Sequence, residues 1–250
     1  MIPKIIHACW LGDKEMPTEQ TKYINGWRLL HPDWEIKVWN NDSFSAYLDE
    51  SSFVKSCIEK KKYGFLSDFF RFTILYEFGG VYIDTDVEIF KPLDSLLNCK
   101  MFMGFIFDAS MGTALIGTEK HNPLMKEWRD QLESDYLKKG EFTISNDWIT
   151  KYFLDHFTDF RLDGSRQSLQ CGIEIYPKDW FERYQVNKQS GGGYAEHHCA
   201  GSWKDKKSPI YTRILRKLIP RKLASVIGHK LILKKTPFYE VYLQHRKLKK

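Results

Sequence analysis

The chain has 250 residues, 42% of them hydrophobic, enough to bury one sizeable core but short for two equal domains. No stretch approaches ~18 uninterrupted apolar residues, and the opening MIPKIIHACWLG has no basic segment ahead of an apolar run, so neither a bilayer-spanning helix nor a secretory leader is expected. The formal charge of +6 is unevenly spread: 15 Lys/Arg and two acids follow Trp203, whereas the first 203 residues hold 23 basic and 30 acidic groups. Cys9, Cys57, Cys99, Cys171 and Cys199 lack C-x-x-C spacing, which fits reduced thiols in a cytoplasm, and no chemistry is assigned to them.

In chain order, Ile-Pro-Lys-Ile-Ile-His7 reads as a short buried strand running into a turn at Gly12. Tyr23, Trp27 and Leu30 give Thr18 to Leu30 a helical period that stops before His31-Pro32. Trp34 to Trp39 alternates apolar and charged residues, as a half-buried strand does, and Phe44 to Ile58 reads as broken helix. Gly64 to Phe78 is helical and apolar nearly all round, with Gly79-Gly80 as its stop. Val81 to Phe90 then reads as a strand, followed by strands at Met101–Phe107 and Ala114–Gly117. Helices over His121–Leu137 and Asn146–Phe157, a strand at Ile173–Tyr176 and a Gly-rich loop ending at Gly193 complete the body. Strands alternating with helices predict an α/β fold on a mainly parallel sheet.

The segment after Gly79-Gly80 carries the chemistry. It is rich in β-formers, yet places Asp84, Asp86 and Glu88 at alternate positions, which on one strand puts all three acids on one face. Carboxylates gathered at a buried strand end repel and are costly to desolvate unless a cation compensates. Mg²⁺ and Mn²⁺ suit such oxygen ligands together with substrate phosphates. A strand simply emerging into solvent would carry the same spacing with hydrated acids. On the preceding helix, Asp68 and Arg71 share a face at i, i+3, either as a buried structural pair or as a ligand clamp.

These residues resemble a known family. His7-x-x-Trp10-x-Gly12, Ser67-Asp68-x-x-Arg71 and Gly79-Gly80-Val-Tyr-x-Asp84-x-Asp86 are similar to the glycosyltransferases whose sugar-binding region contains the DXD motif. That family includes bacterial capsular and exopolysaccharide enzymes and, more distantly, the clostridial glucosylating toxins. Ile175-Tyr-Pro-x-x-Trp-Phe181 and His197-His198-x-x-x-Ser202-Trp203 resemble its C-terminal signature, so the likeness spans residues 2 to 203. It implies a GT-A fold of a Rossmann-like sheet flanked by helices, a UDP-sugar donor, Mn²⁺ or Mg²⁺, and retention of anomeric configuration. By position, Trp10 would stack on the uracil, and Asp68 and Arg71 would hold the sugar, with Arg71 near the diphosphate. Asp84 would contact ribose or sugar as well as metal, and Asp86 would ligate the metal. His197 would be a metal or diphosphate ligand, with His198 as its competitor, and Ser202 and Trp203 would close over the diphosphate, Ser202 completing the metal shell. The implied activity is transfer of a hexose or N-acetylhexosamine to a saccharide or lipid-linked acceptor in surface polysaccharide synthesis.

Two other readings compete. Tyr82-Ile-Asp84-Thr-Asp86-Val also fits the first motif of haloacid-dehalogenase-like phosphatases, with Asp84 as nucleophile, but no later acidic element of that fold is present. A non-catalytic module that merely binds nucleotide-sugar is the second. Residues 1–203 are therefore expected to form the catalytic domain and 204–250 a basic amphipathic tail. Ile210, Ile214 and Leu218 share a helical stripe there, flanked by Arg213, Arg216, Lys217, Arg221 and Lys222. That pattern predicts a cytoplasmic protein in peripheral contact with an anionic membrane face, and no nucleic-acid partner.

Overall fold

A computed structural model describes residues 1–45, 51–182, 193–199 and 231–248. The chain runs β1 (Ile5–Cys9), α1 (Thr18–Leu30), β2 (Glu35–Trp39), α2 (Asn41–Ser45), α3 (Ser52–Glu59), α4 (Tyr63–Phe78), β3 (Gly80–Ile83) and β4 (Val87–Ile89). There follow β5 (Met101–Phe107), β6 (Ser110–Thr118), α5 (Pro123–Lys139), α6 (Ser145–His156), β7 (Gln167–Ser168), β8 (Ile173–Tyr176), α7 (Lys178–Phe181), β9 (Ala195–His197) and a C-terminal helix, Tyr239–Lys247.

Seven strands form one sheet in the order β2-β1-β3-β6-β5-β8-β7. β1, β2, β3, β5 and β8 point one way, while β6 and β7 are reversed. The result is a mostly parallel α/β sheet with helices on both faces. Both faces are apolar, so the strands read as near-continuous hydrophobic runs. Cys9, Tyr82, Met101, Met103 and Phe105 join the cluster beneath α3 to α6. Their neighbours Ile6, Ala8, Val81, Ile83 and Phe102 face α1 and α7. Helix α4 is buried along much of its length, from Leu66 to Leu75, which accounts for an apolar surface with no clean polar stripe.

The Gly79-Gly80 pair lets α4 turn directly into β3. Both have positive φ, 64° and 95°. A Cβ on Gly80 would lie 2.6 Å from the Ile5 carbonyl oxygen, and one on Gly79 2.6 Å from the Lys120 nitrogen. His7 secures the same junction from below. Its Nε2–H donates to the Gly79 carbonyl at 3.0 Å, and its Nδ1 accepts from the Trp39 indole at 3.2 Å. This histidine is structural. Burial pushes its imidazole down to about 4 from 6.5. The unfolded chain therefore binds a proton that the fold refuses. His7 contributes fully above pH ~6.5, and its share is lost as pH falls toward ~4, up to about 3 kcal/mol. Unfolding of wild type and His7→Gln across that window should show a steeper acid loss in wild type; parallel curves would refute the account.

One expectation is corrected. Val81 to Phe90 is not one strand: it breaks at Asp84–Asp86 into β3 and β4, and β4 leaves the main sheet to pair with β9. The stretch from Phe44 to Ile58 contains the end of α2, which begins at Asn41, and most of α3. The expected 203/204 boundary, Ser202, Trp203 and the stripe from Ile210 to Leu218 lie outside the described residues. The C-terminal helix packs on the larger core, with Tyr242 buried in it, and the Leu162 amide donates to His245 Nδ1 at 2.8 Å. No described helix is long and apolar enough to cross a membrane.

Candidate active site

The site lies where β1 and β3, adjacent and parallel, end side by side; the carboxyl ends of such strands are where open α/β sheets bind ligands. Beyond Ile83 the chain makes a tight turn, Asp84-Thr85-Asp86, closed by the Val87 amide donating to the Asp84 carbonyl at 3.0 Å. The Asp84 amide donates to the Ala114 carbonyl at 2.8 Å and ties the turn to β6. A turn, not strand alternation, thus brings the two carboxylates together. Glu88, on β4 beyond it, engages His198 instead, with Oε2 3.0 Å from Nε2.

Antiparallel pairing with β9 sets Val87 opposite His197, and the His198 amide donates to the Asp86 carbonyl at 3.0 Å. His197 Nε2 then sits 3.3 Å from Asp86 Oδ1, while Nδ1 lies 2.7 Å from Glu182 Oε2. Glu182, buried just past α7, fixes the ring through its second nitrogen, as carboxylates do for metal-ligating histidines. Gly112 leaves room for it, since a Cβ there would meet Glu182 Oε1 at 2.9 Å. His198 turns away, its ring stacked 4.9 Å from Tyr23 of α1. Of the two competing histidines, His197 faces the D-x-D turn.

Arg71 reaches the turn from the buried α4. Its Nη2 lies 3.1 Å from both Asp68 Oδ1 and Asp84 Oδ1, Nη1 donates to the Thr113 carbonyl at 2.5 Å, and the guanidinium covers Tyr82 at 4.6 Å. The pair on α4 is therefore a clamp on the D-x-D carboxylate, and the guanidinium is largely committed to protein partners. Burial raises the Asp84 carboxyl to about 6 despite the opposing pull of Arg71, and burial likewise raises Asp68. Burial alone would depress His197, but Glu182 and Asp86 outweigh it and hold the imidazole well above its ordinary value.

Asp84, Asp86 and His197 each present a ligand atom within 4.8 Å of the others. Two carboxylates and an oriented imidazole suit a divalent cation, which would offset the negative charge gathered at the turn. Trp10, half-exposed beyond β1, is fixed by its amide to the Trp39 carbonyl at 2.8 Å and by its indole N–H to the Lys14 carbonyl at 2.6 Å. Beside the turn, an open groove of about 710 Å³ is lined by Thr18, Glu19, Lys22, Tyr23, Glu88 and His198. The structure thus brings Asp68, Arg71, Asp84, Asp86 and His197 together and sets Trp10 on the adjoining strand end. Glu182 was missed by the sequence reading, which followed the C-terminal motif only to Phe181, one residue short of it.

Residues 17–103 match the family model described as the glycosyltransferase sugar-binding region containing the DXD motif. Inositol phosphoceramide mannosyltransferase 1 of Schizosaccharomyces pombe is 32% identical over 41% of this chain and 33% of its own length. An uncharacterized glycosyltransferase, L373, of Acanthamoeba polyphaga mimivirus is 27% identical over 64% of this chain and 66% of its own. The chain thus spans between a third and two thirds of the length of these relatives. A solved structure titled PaToxG glycosyltransferase superimposes with a TM-score of 0.52 at 17% identity, covering 62% of this chain and 70% of that one. It shares the fold.

Proposed function

We propose, for a chain whose residues 17–103 form a DXD-containing glycosyltransferase sugar-binding region, that it transfers a hexosyl unit from a nucleoside-diphosphate sugar to a saccharide or lipid-linked acceptor with retention of configuration. The observation that carries this reading is the convergence of Asp84, Asp86 and His197 at the carboxyl end of the sheet, with Arg71 and Glu182 holding them. Those three residues would hold Mn²⁺ or Mg²⁺. Bound there, the ion supplies neutralisation of the charge that builds on a departing diphosphate.

The protein's own groups do the positioning. Arg71 fixes the Asp84 carboxylate against the sheet, and Glu182 fixes the ring plane of His197. Trp10 offers an aromatic face to the base, and the groove along α1 offers the acceptor an approach beside the D-x-D turn. A mannosyl donor is favoured because relatives in three yeasts are named for mannosyl transfer, and the inositol phosphoceramide in several of those names favours a lipid-linked acceptor. Asp84 is an unsuitable phosphatase nucleophile, since Arg71 already holds its Oδ1.

The test is hydrolysis of UDP- and GDP-sugars with and without Mn²⁺, alongside thermal shift by the matching nucleotide. Divalent-dependent release of sugar from one donor is expected, which also separates an enzyme from a passive binding module. A panel with neither turnover nor shift would sink the proposal. Trp10→Ala should weaken the shift, since stacking on a base contributes about 1–3 kcal/mol. An undiminished shift would take the base away from Trp10.

A further inference from the structure

Cys199 lies two residues beyond the end of β9, the strand that completes the D-x-D site, and it stands apart in two respects. Its backbone is left-handed, with φ 49°, a conformation that side-chain-bearing residues adopt rarely and mostly where surrounding structure enforces it. Its thiol also lies on the side of the chain that holds the His197 ring and the Glu182 carboxylate. Glu182, His197 and Cys199 each present a ligand atom within 4.8 Å of the others. His197 is thus shared between two donor sets, one of carboxylates with Asp84 and Asp86, the other containing a thiol.

We infer that Glu182, His197 and Cys199 form a second metal site, selective for a thiophilic divalent ion of the Zn²⁺ type. Sulfur, imidazole nitrogen and carboxylate oxygen are the three donor types zinc takes in tetrahedral sites, with water free to fill the fourth position. The hard set beside it suits Mn²⁺ or Mg²⁺. Cys199 is exposed, so an ion can enter from solvent, whereas Glu182 is buried and already oriented on the imidazole. On binding, the Cys199 thiol and a ring N–H of His197 each release a proton to water, and the thiolate, the freed ring nitrogen and the Glu182 carboxylate ligate. At comparable sites Zn²⁺ outcompetes Mn²⁺. An ion on the thiolate set therefore claims the histidine that the D-x-D pair needs, and zinc antagonises the hard ion at its neighbour.

The measurement uses the full chain without nucleotide, so its outcome is independent of the glycosyl-transfer reading. Zinc competed against a chromophoric chelator should show one tight equivalent in wild type. Cys199→Ser should weaken it by about tenfold or more, while Cys171→Ser, which alters the other exposed thiol, and Asp86→Asn should both retain it. Cobalt(II) in the same site should give a thiolate charge-transfer band in wild type that Cys199→Ser abolishes. Zinc affinity unchanged in Cys199→Ser, loss of the tight equivalent in Asp86→Asn, or bound cobalt without that band would each overturn the assignment.

Discussion

Asp86→Asn is expected to lower divalent-dependent turnover by about 100-fold or more while the protein still folds. The Asp86 side chain is 18% exposed at the mouth of the site, so an isosteric amide introduces no clash and strands no charge. What it removes is an anionic oxygen facing His197. The decisive measurement is a Mn²⁺ titration of turnover in wild type and variant. A rise in the concentration needed for half-activation, together with a lower plateau, is the expected pair of effects. Near-normal activity at limiting Mn²⁺ would take Asp86 out of the metal shell.

Arg71→Met should have the largest effect on stability. The guanidinium compensates the buried Asp68 and the part-buried Asp84, each at 3.1 Å, and removing one partner of a buried pair typically costs about 3–5 kcal/mol. For a chain of this length that is a fall in Tm on the order of 10 °C. The pH dependence identifies the cause. Without the cation, Asp68 and Asp84 have folded pKa values above those of the unfolded chain. The variant is therefore most stable below the unfolded carboxylate range and loses stability as pH rises through the raised values. Its deficit against wild type should narrow at pH ~5 compared with pH ~7. An equal deficit at both would trace the loss to packing over Tyr82. Arg71→Lys should recover only part of the stability, since an ammonium cannot span Asp68, Asp84 and the Thr113 carbonyl as the fork does.

The elements with a sustained period were legible in the sequence. Thr18–Leu30 was bounded to the residue, and α4 with its Gly79-Gly80 stop was found because an unbroken apolar run and two glycines are local signals. The D-x-D turn was misread for an equally local reason. Val-Tyr-Ile before it and Val-Glu-Ile-Phe after it are both β-formers, and acids at alternate positions mimic a one-faced strand. Only the long-range ladder between β4 and β9 separates the two pieces, and no neighbouring residue announces it. The same ladder distinguishes His197 from His198, since adjacent residues on a strand point opposite ways and the register decides which faces the turn. Glu182 carries no signature of its own; its role comes from an imidazole supplied fifteen positions later.

The ribbon of β4 and β9 also sets an order of assembly. Three paired positions join the D-x-D segment to a strand that emerges from synthesis more than a hundred residues after it. Strands β1 to β6 all precede the imidazole in the chain, so the proposed ion site can be completed only after they have been synthesised. So short a ladder is also the kind of unit that opens without global unfolding. Exchange of the His198 amide, which closes the ladder on the Asp86 carbonyl, reports that opening directly. If Asp84, Asp86 and His197 hold a divalent ion as proposed, its addition should slow that exchange by joining the two strands through their side chains.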